Sequence, residues 1–253
     1  MMVFTLLANA SSNAVRALDI LLVIANAHED GLALAEIAQQ LGETKPAVHR
    51  SITSLLHRGF VESAGKRGHY RLGPAIFLLA RRQARLEPLI AKFGPGMTEF
   101  ARRTGFTVYM MVQAGVDAVC AEMISRFTQQ QLWMGIGARV PMGVAAGSLA
   151  LLSMLPEADA RQIIERNASR YAQHPAVQHV DEKVVAAQAA DARRRGYAVN
   201  LGYYLPGEGG IGLPIKATSM YEMDIAISFT APLELMTESW IENIVGELKS
   251  CLA

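Results

Sequence analysis

The sequence predicts an α+β protein of two parts, an N-terminal winged helix-turn-helix joined by a connecting helix to an α/β domain able to enclose a small molecule. Three observations carry this expectation. Residues 33–72 pass through a short amphipathic helix, a tight turn, a basic helix and a glycine-tipped hairpin without a gap. Cations gather over that stretch: Lys45 to Arg85 hold nine against the single acid Glu62, a net +8 that leaves −7 for the rest of a chain of formal charge +1. Beyond residue 89, helical and strand patterns interleave, as expected when helices must cover the faces of a sheet.

Each element has its own reason. Residues 1–12 are apolar but lack a basic leader region, so they predict a short arm and not a signal peptide. The first domain, 13–73, opens on a helix from Asn13 to His28 with Val15, Leu18, Leu21, Leu22 and Ala25 turned inward. Leu34, Ile37, Ala38 and Leu41 recur at helical spacing and Gly42 ends that helix. Thr44 is placed to cap the next, whose inward stripe is Val48, Ile52, Leu55 and Leu56. Its outward face is then Lys45, Pro46, Ala47, His49, Arg50 and Thr53. Phe60-Val61-Glu62 and His69-Tyr70-Arg71-Leu72 have strand composition, and the turn between them offers Lys66 and Arg67 to a phosphate backbone. Arg16, in the opening helix, is a further candidate phosphate contact. The pattern points to double-stranded DNA as a partner, against the alternative of a solvated basic surface with none.

A connecting helix is expected over 74–88, with Ile76, Phe77 and Leu79 needing a partner surface, which calls for a homodimer. Pro88 and Gly94-Pro95-Gly96 are expected to interrupt the helical pattern before the second domain, 89–253, settles into it. There a helix is expected at Met97–Arg103. Strands are expected at Thr107–Gln113, Ala118–Met123, Gln131–Gly135, Tyr197–Asn200, Ile211–Ala217 and Met223–Thr230. Helices are expected at Val144–Leu155, Glu157–Ser169, Glu182–Arg195 and Leu233–Leu252.

Composition excludes several classes. With 253 residues, 51% of them hydrophobic, the chain can bury two modest cores, and no run of about eighteen apolar residues exists to span a membrane. Two cysteines fit free thiols in a reducing cytoplasm. Gly207 to Gly212 match G-x-G-x-x-G, but Leu213-Pro214-Ile215 reads as a strand, so no helix N-terminus is available for a pyrophosphate. His174 and His179 lack companions at metal-ligand spacing. No cofactor, metal or catalytic set is expected, and the protein reads as a non-enzyme. Met110, Met111, Met123 and Met134 read as core, or as an adaptable apolar wall where they face a cavity. Trp133, Tyr203 and Tyr204 read equally as covers for an aromatic ligand or as interface packing.

The segments SSNAVRALDIL, AEIAQQLG, KPAVHRSITSLLHRGFVE and GHYRLG resemble the N-terminal domain of IclR-family transcriptional regulators. GARVPMGVAAGSLALL, RRRGYAVNLGYYLPGEGGIGLPI and IAISFTAP resemble that family's C-terminal landmarks in the same order and spacing. The resemblance implies a GAF-like effector-binding domain and dimers that pair into tetramers. It also implies a ligand-responsive DNA-binding regulator, of a catabolic operon, whose effector is a small organic acid or aromatic metabolite. It places the effector between Val140–Ser148, with Val140, Met142, Ala146 and Gly147, and a second wall with Asn200, Glu208 and Gly210. Ser228 and Thr230, two apart on one strand and so on one face, complete the set; the alternative for this pair is a polar face toward solvent. Departures from the family pattern are Pro46 and Ala47 for two hydroxyl residues, Gly143 for a histidine, and Ser148-Leu149 for Gly-Lys. The rival readings are an enzyme carrying a regulatory head and a constitutive oligomerisation domain fused to a winged helix.

Overall fold

The computed structural model describes residues 12–25, 27, 30–82, 85–125, 135–173, 180–205, 207–219 and 222–253. The arm up to residue 11, the expected strand from Gln131, and Trp133, Met134, His174 and His179 lie outside the described residues. The chain divides into two compact units after Ala84.

The first unit runs α1 (Ser12–Ala25), β1 (Leu32–Ala33), α2 (Leu34–Leu41), α3 (Lys45–His57), β2 (Val61–Ser63), β3 (His69–Leu72) and α4 (Pro74–Arg82). Gly42 closes α2 with φ +63°, a conformation that suits a residue without Cβ. Pro46 sits in the first turn of α3, where its missing N–H costs nothing. Thr44 occupies the N-cap position, but its side chain makes no capping hydrogen bond, so the expected cap is backbone geometry only. Ile37, Val48, Ile52 and Val61 form the core with Ile20 and Ile24 of α1. The expected inward stripe of α1 was misplaced. Leu21 packs against the core as expected, but Ile20 and Ile24 are the buried residues, whereas Val15, Leu18, Leu22 and Ala25 are exposed, because residues 20–25 are all apolar and carry no polar face to reveal their orientation. Strand β1 was missed: two residues pair Leu32 with Tyr70 and Ala33 with His69, making a three-stranded sheet in the order β1-β3-β2.

The second unit continues with α5 (Glu87–Thr104), β4 (Val108–Ala114), β5 (Asp117–Ile124), β6 (Arg139–Pro141), α6 (Ala146–Met154), α7 (Glu157–Gln173), α8 (Glu182–Arg195), β7 (Ala198–Leu201), β8 (Glu208–Ile215), β9 (Ile225–Pro232), a 3-10 turn (Leu233–Leu235) and α9 (Glu238–Leu252). Helix α5 passes unbroken through Pro95, contrary to the expected interruption. Packing decides this: Leu89, Phe93, Met97 and Phe100 are all buried, and a Cβ at Gly96 would lie 2.2 Å from the Cys251 carbonyl oxygen, so the helix must be seated closely there.

The antiparallel sheet has the order β6-β5-β4-β9-β8-β7. Alternation along its central strands sorts the side chains. Val108, Met110, Val112, Ile225, Ile227 and Phe229 share a core with α5 and α9, and Tyr109, Met111 and Ala226 share the other with α6, α7 and α8. Helix α6 is buried along nearly its whole length and lies against the sheet where glycines remove the obstacle. A Cβ on Gly212 would fall 2.3 Å from the Ala146 carbonyl oxygen, and one on Gly147 would fall 2.6 Å from Met111 Cγ and from Ser228 Oγ.

Candidate functional site

Two surfaces carry the sequence-predicted residues, one in each unit. In the first, Lys45, Pro46, His49, Arg50 and Thr53 are exposed along one side of α3, and Lys66 and Arg67 are exposed in the wing. The Thr53 hydroxyl donates to the His49 carbonyl oxygen at 2.8 Å, so it is already partly engaged. Ala47 corrects the expected outward face: it is 8% exposed and packs inward beside Val48, because the buried arc of α3 also takes in Ser51 and is wider than its large apolar residues suggest. Arg16 is already engaged within its own unit. Its guanidinium Nε donates to Glu43 Oε1 at 2.9 Å and its Nη1 donates to Asn13 Oδ1 at 2.8 Å, so it ties α1 to the α2–α3 turn. In the wing Arg71 pairs with Glu62 at 2.7 Å. Among the described residues Arg50, Lys66 and Arg67 have no such partner, which leaves their charges available.

The second surface is a cavity of about 30 Å³ between the N-terminal end of α6 and the sheet. Ala146 and Gly147 form its helical wall, Gly210, Ser228 and Thr230 its sheet floor, and Asn200 and Glu208 flank it. The register explains the convergence: Ser228 stands opposite Tyr109 on one side and Gly212 on the other, while Thr230 stands opposite Gly210, which in turn faces Asn200. The alternative of a solvent-facing hydroxyl pair is thereby removed for Ser228, which is 5% exposed.

Val140 and Met142 do not line the cavity. Val140 pairs with Ala118 at the far edge of the sheet, and Met142 is fully buried with its carbonyl oxygen accepting from the Tyr171 hydroxyl at 2.8 Å. Both are core, because the chain turns between them and α6 at Gly143. That residue takes φ +99°, and a Cβ there would meet Val185 Cγ1 at 2.3 Å, which accounts for glycine at this position. Leu149 is fully buried as well, so nothing cationic occupies the position where the family carries lysine.

Asn200 is committed to structure. Its Nδ2 donates to the Val144 carbonyl oxygen at 2.7 Å, and its Oδ1 accepts from the backbone N–H groups of Tyr203 and Tyr204 at 3.0 and 3.3 Å. An aspartate could not donate to Val144, so the amide is what fastens the β7–β8 connection over the cavity. Ser148 does similar work: its Oγ accepts from Gly143 and Ala145 N–H and donates to the Ala145 carbonyl oxygen.

The sequence reading missed Tyr109 and Leu205 and left Met111 and Tyr204 undecided; all four line the cavity. The signal was strand alternation, since Tyr109 is two residues before Met111 and both face α6. Burial, with Cys120, Tyr204 and the Glu208 carboxylate nearby, pushes the Tyr109 phenol up to about 12, so it stays protonated. Burial also pushes the Cys120 thiol up to about 12, which makes it an unreactive core thiol. Among the described residues Glu208 is the single carboxylate on the cavity wall, and no Lys, Arg or His lines it. No group of His, Cys, Asp and Glu among the described residues could hold a metal ion.

The model of the bacterial transcriptional regulator IclR C-terminal region matches residues 84–253, and that of the IclR helix-turn-helix domain matches 14–65. The chain belongs to the IclR family. Its N-terminal unit is a helix-turn-helix DNA-binding domain, and its C-terminal unit is the α/β effector-binding domain of that family's transcriptional regulators. It is 26% identical over 213 residues to the transcriptional repressor IclR of Escherichia coli K12, covering 82% of this chain and 75% of that protein. In fold it is similar to an IclR transcriptional regulator from Alicyclobacillus acidocaldarius, with a TM-score of 0.71 at 22% identity over 96% of this chain and 97% of that one. It is also similar in fold to an IclR homologue from Microbacterium hydrocarbonoxydans complexed with 4-hydroxybenzoate. There the TM-score is 0.69 at 22% identity over 95% of this chain and 99% of that one.

Proposed function

We propose that this IclR-family regulator is a cytoplasmic homodimer, able to pair into a tetramer. It grips an operator through α3 and the wing and is switched by a small organic acid or aromatic metabolite held between α6 and the sheet. It acts by binding, not turnover. Arg50 reads base edges and Lys66 and Arg67 hold phosphates, a division suggested by their places on helix and wing. The observation that carries the effector reading is the convergence of Gly147, Ser228 and Thr230 on one cavity.

Among the described residues the hydroxyls of Ser228 and Thr230 have no protein hydrogen-bond partner, so both are left for a guest. A volume of 30 Å³ is smaller than an aromatic guest, so such a guest has to enlarge the cavity by moving side chains that line it. An effector that forces this movement binds one arrangement better than another, which is what regulation requires. No described helix is long and apolar enough to cross a membrane.

The test is a thermal-melting screen of small aromatic acids, phenols and aliphatic acids, followed by mobility shift on the operator. Ligands that raise the melting temperature are expected to change operator affinity. A panel in which stabilising ligands leave operator binding untouched would sink the regulatory reading.

A further inference from the structure

The charge of the cavity narrows the effector and rests on the reading just given. Strand alternation puts Glu208 on the same face of β8 as Gly210 and Gly212, toward α6, and the residue between, Gly209, faces Met236 instead. The Glu208 carboxylate is near enough to Tyr109 to bear on its ionisation, and among the described residues it has no hydrogen-bond or ion-pair partner. It therefore brings to the cavity a negative charge that no described cationic side chain balances. The remaining polar side chains of the wall are neutral: Asn200, the Ser228 and Thr230 hydroxyls, and the Tyr109 and Tyr204 phenols. The N-terminal end of α6 contributes partial positive charge of about half a unit. Glu208, on the same cavity as Ala145 to Gly147, already answers that charge with a full unit of its own.

We propose that the cavity selects an effector that carries no carboxylate, namely a compact neutral phenol whose O–H donates to Glu208 and whose ring lies against Met111 and Leu205. The carboxylate is an acceptor only, so it needs a donor from the guest. A guest carboxylate would bring a second negative charge into a site without a cation, and one of the two would have to take up a proton for both to remain. Glu208 thus acts as a specificity residue that turns small organic acids away.

Two matched probes test this, 4-methylphenol and 4-methylbenzoate, measured by calorimetry on the full chain. Wild type is expected to bind the phenol at least about tenfold tighter than the benzoate. Glu208→Gln keeps the size, removes the charge, and is expected to bring the two probes within about threefold of each other. Because Glu208 is only half-buried, that variant should keep the wild-type melting temperature. Tighter binding of the benzoate by wild type, or an unchanged preference in Glu208→Gln, overturns the inference. Ser228→Ala and Gly147→Leu separate the two readings. If the benzoate wins and both variants weaken it, the cavity remains the effector site and only the charge selection falls. If wild type binds neither probe, or both variants bind as wild type does, the effector-site reading falls and takes the inference with it.

Discussion

The two units of this protein use their polar and apolar groups in opposite ways. The helix-turn-helix unit turns its candidate functional side chains outward: Arg50, Lys66 and Arg67 are exposed and, among the described residues, unpaired, and Phe77, Leu78 and Leu79 of α4 are 64, 63 and 54% exposed. The effector unit turns them inward, so that Asn200 and Ser148 are 2% and 0% exposed and saturated with hydrogen bonds. The difference separates two kinds of vulnerability. Outward residues should fail in association while the fold survives, and inward residues should fail in stability first.

Phe77→Asp is expected to have the largest effect: on the proposed homodimer it should give a monomer and with it abolish operator binding, because a charge then occupies the exposed apolar patch assigned to the second subunit. Sedimentation velocity reads this directly, and an unchanged oligomer with unchanged melting would break the outward half of the comparison. Gly212→Ala should cost about 3 kcal/mol of stability, since its methyl would press on the Ala146 carbonyl oxygen and rigid backbone has no cheap way to give. Chemical denaturation measures it; a wild-type midpoint would show that α6 can lift from the sheet.

Asn200→Ala should destabilise by about 2 kcal/mol, through the Val144 carbonyl oxygen and two loop N–H groups left without their partner. Its operator affinity without effector should match wild type, which is the sharper half of the prediction. Arg50→Ala should lose roughly 1 to 3 kcal/mol of operator affinity together with discrimination between sequences, at wild-type stability. Lys66→Ala should instead weaken all sequences alike and lower the salt slope by about one. Titrations at several salt concentrations distinguish them. Arg16→Ala belongs at the bottom: its partner is Glu43 on the protein, with side chains 15 and 34% exposed, so the loss should be below about 1 kcal/mol of stability. A large loss of operator affinity without destabilisation would return Arg16 to the DNA-contacting set.

Legibility followed the same division. Helix α3 and the wing were readable because their signals are local: Gly42 as a stop, apolar residues at helical spacing, cations on the remaining arc. Helix α1 was read correctly at Leu21 but otherwise on the wrong face because residues 20–25 are apolar all round, and only contact with Ile37, Val48 and Ile52 selects Ile20 and Ile24. In the effector unit the small residues of α6 and the paired hydroxyls of β9 were visible, whereas Val140 and Met142 were assigned to the wall by proximity in sequence. Proximity in sequence said nothing about the turn at Gly143 that carries α6 away from them.

What the sequence by itself determined is the order of elements, the placement of charge and the family, because these depend on spacing of a few residues and on composition. Tertiary structure alone decided which face of α1 is buried, that α5 runs through Pro95, that Asn200 is a clamp, and that Tyr109 and Glu208 meet at the cavity. The physical reason is register: β4 lies about a hundred residues before the consecutive strands β8 and β9. Only their hydrogen-bonded alignment brings Tyr109 opposite Ser228, sets Glu208 on the same sheet face, and lets the glycines admit α6 close enough to leave a cavity there.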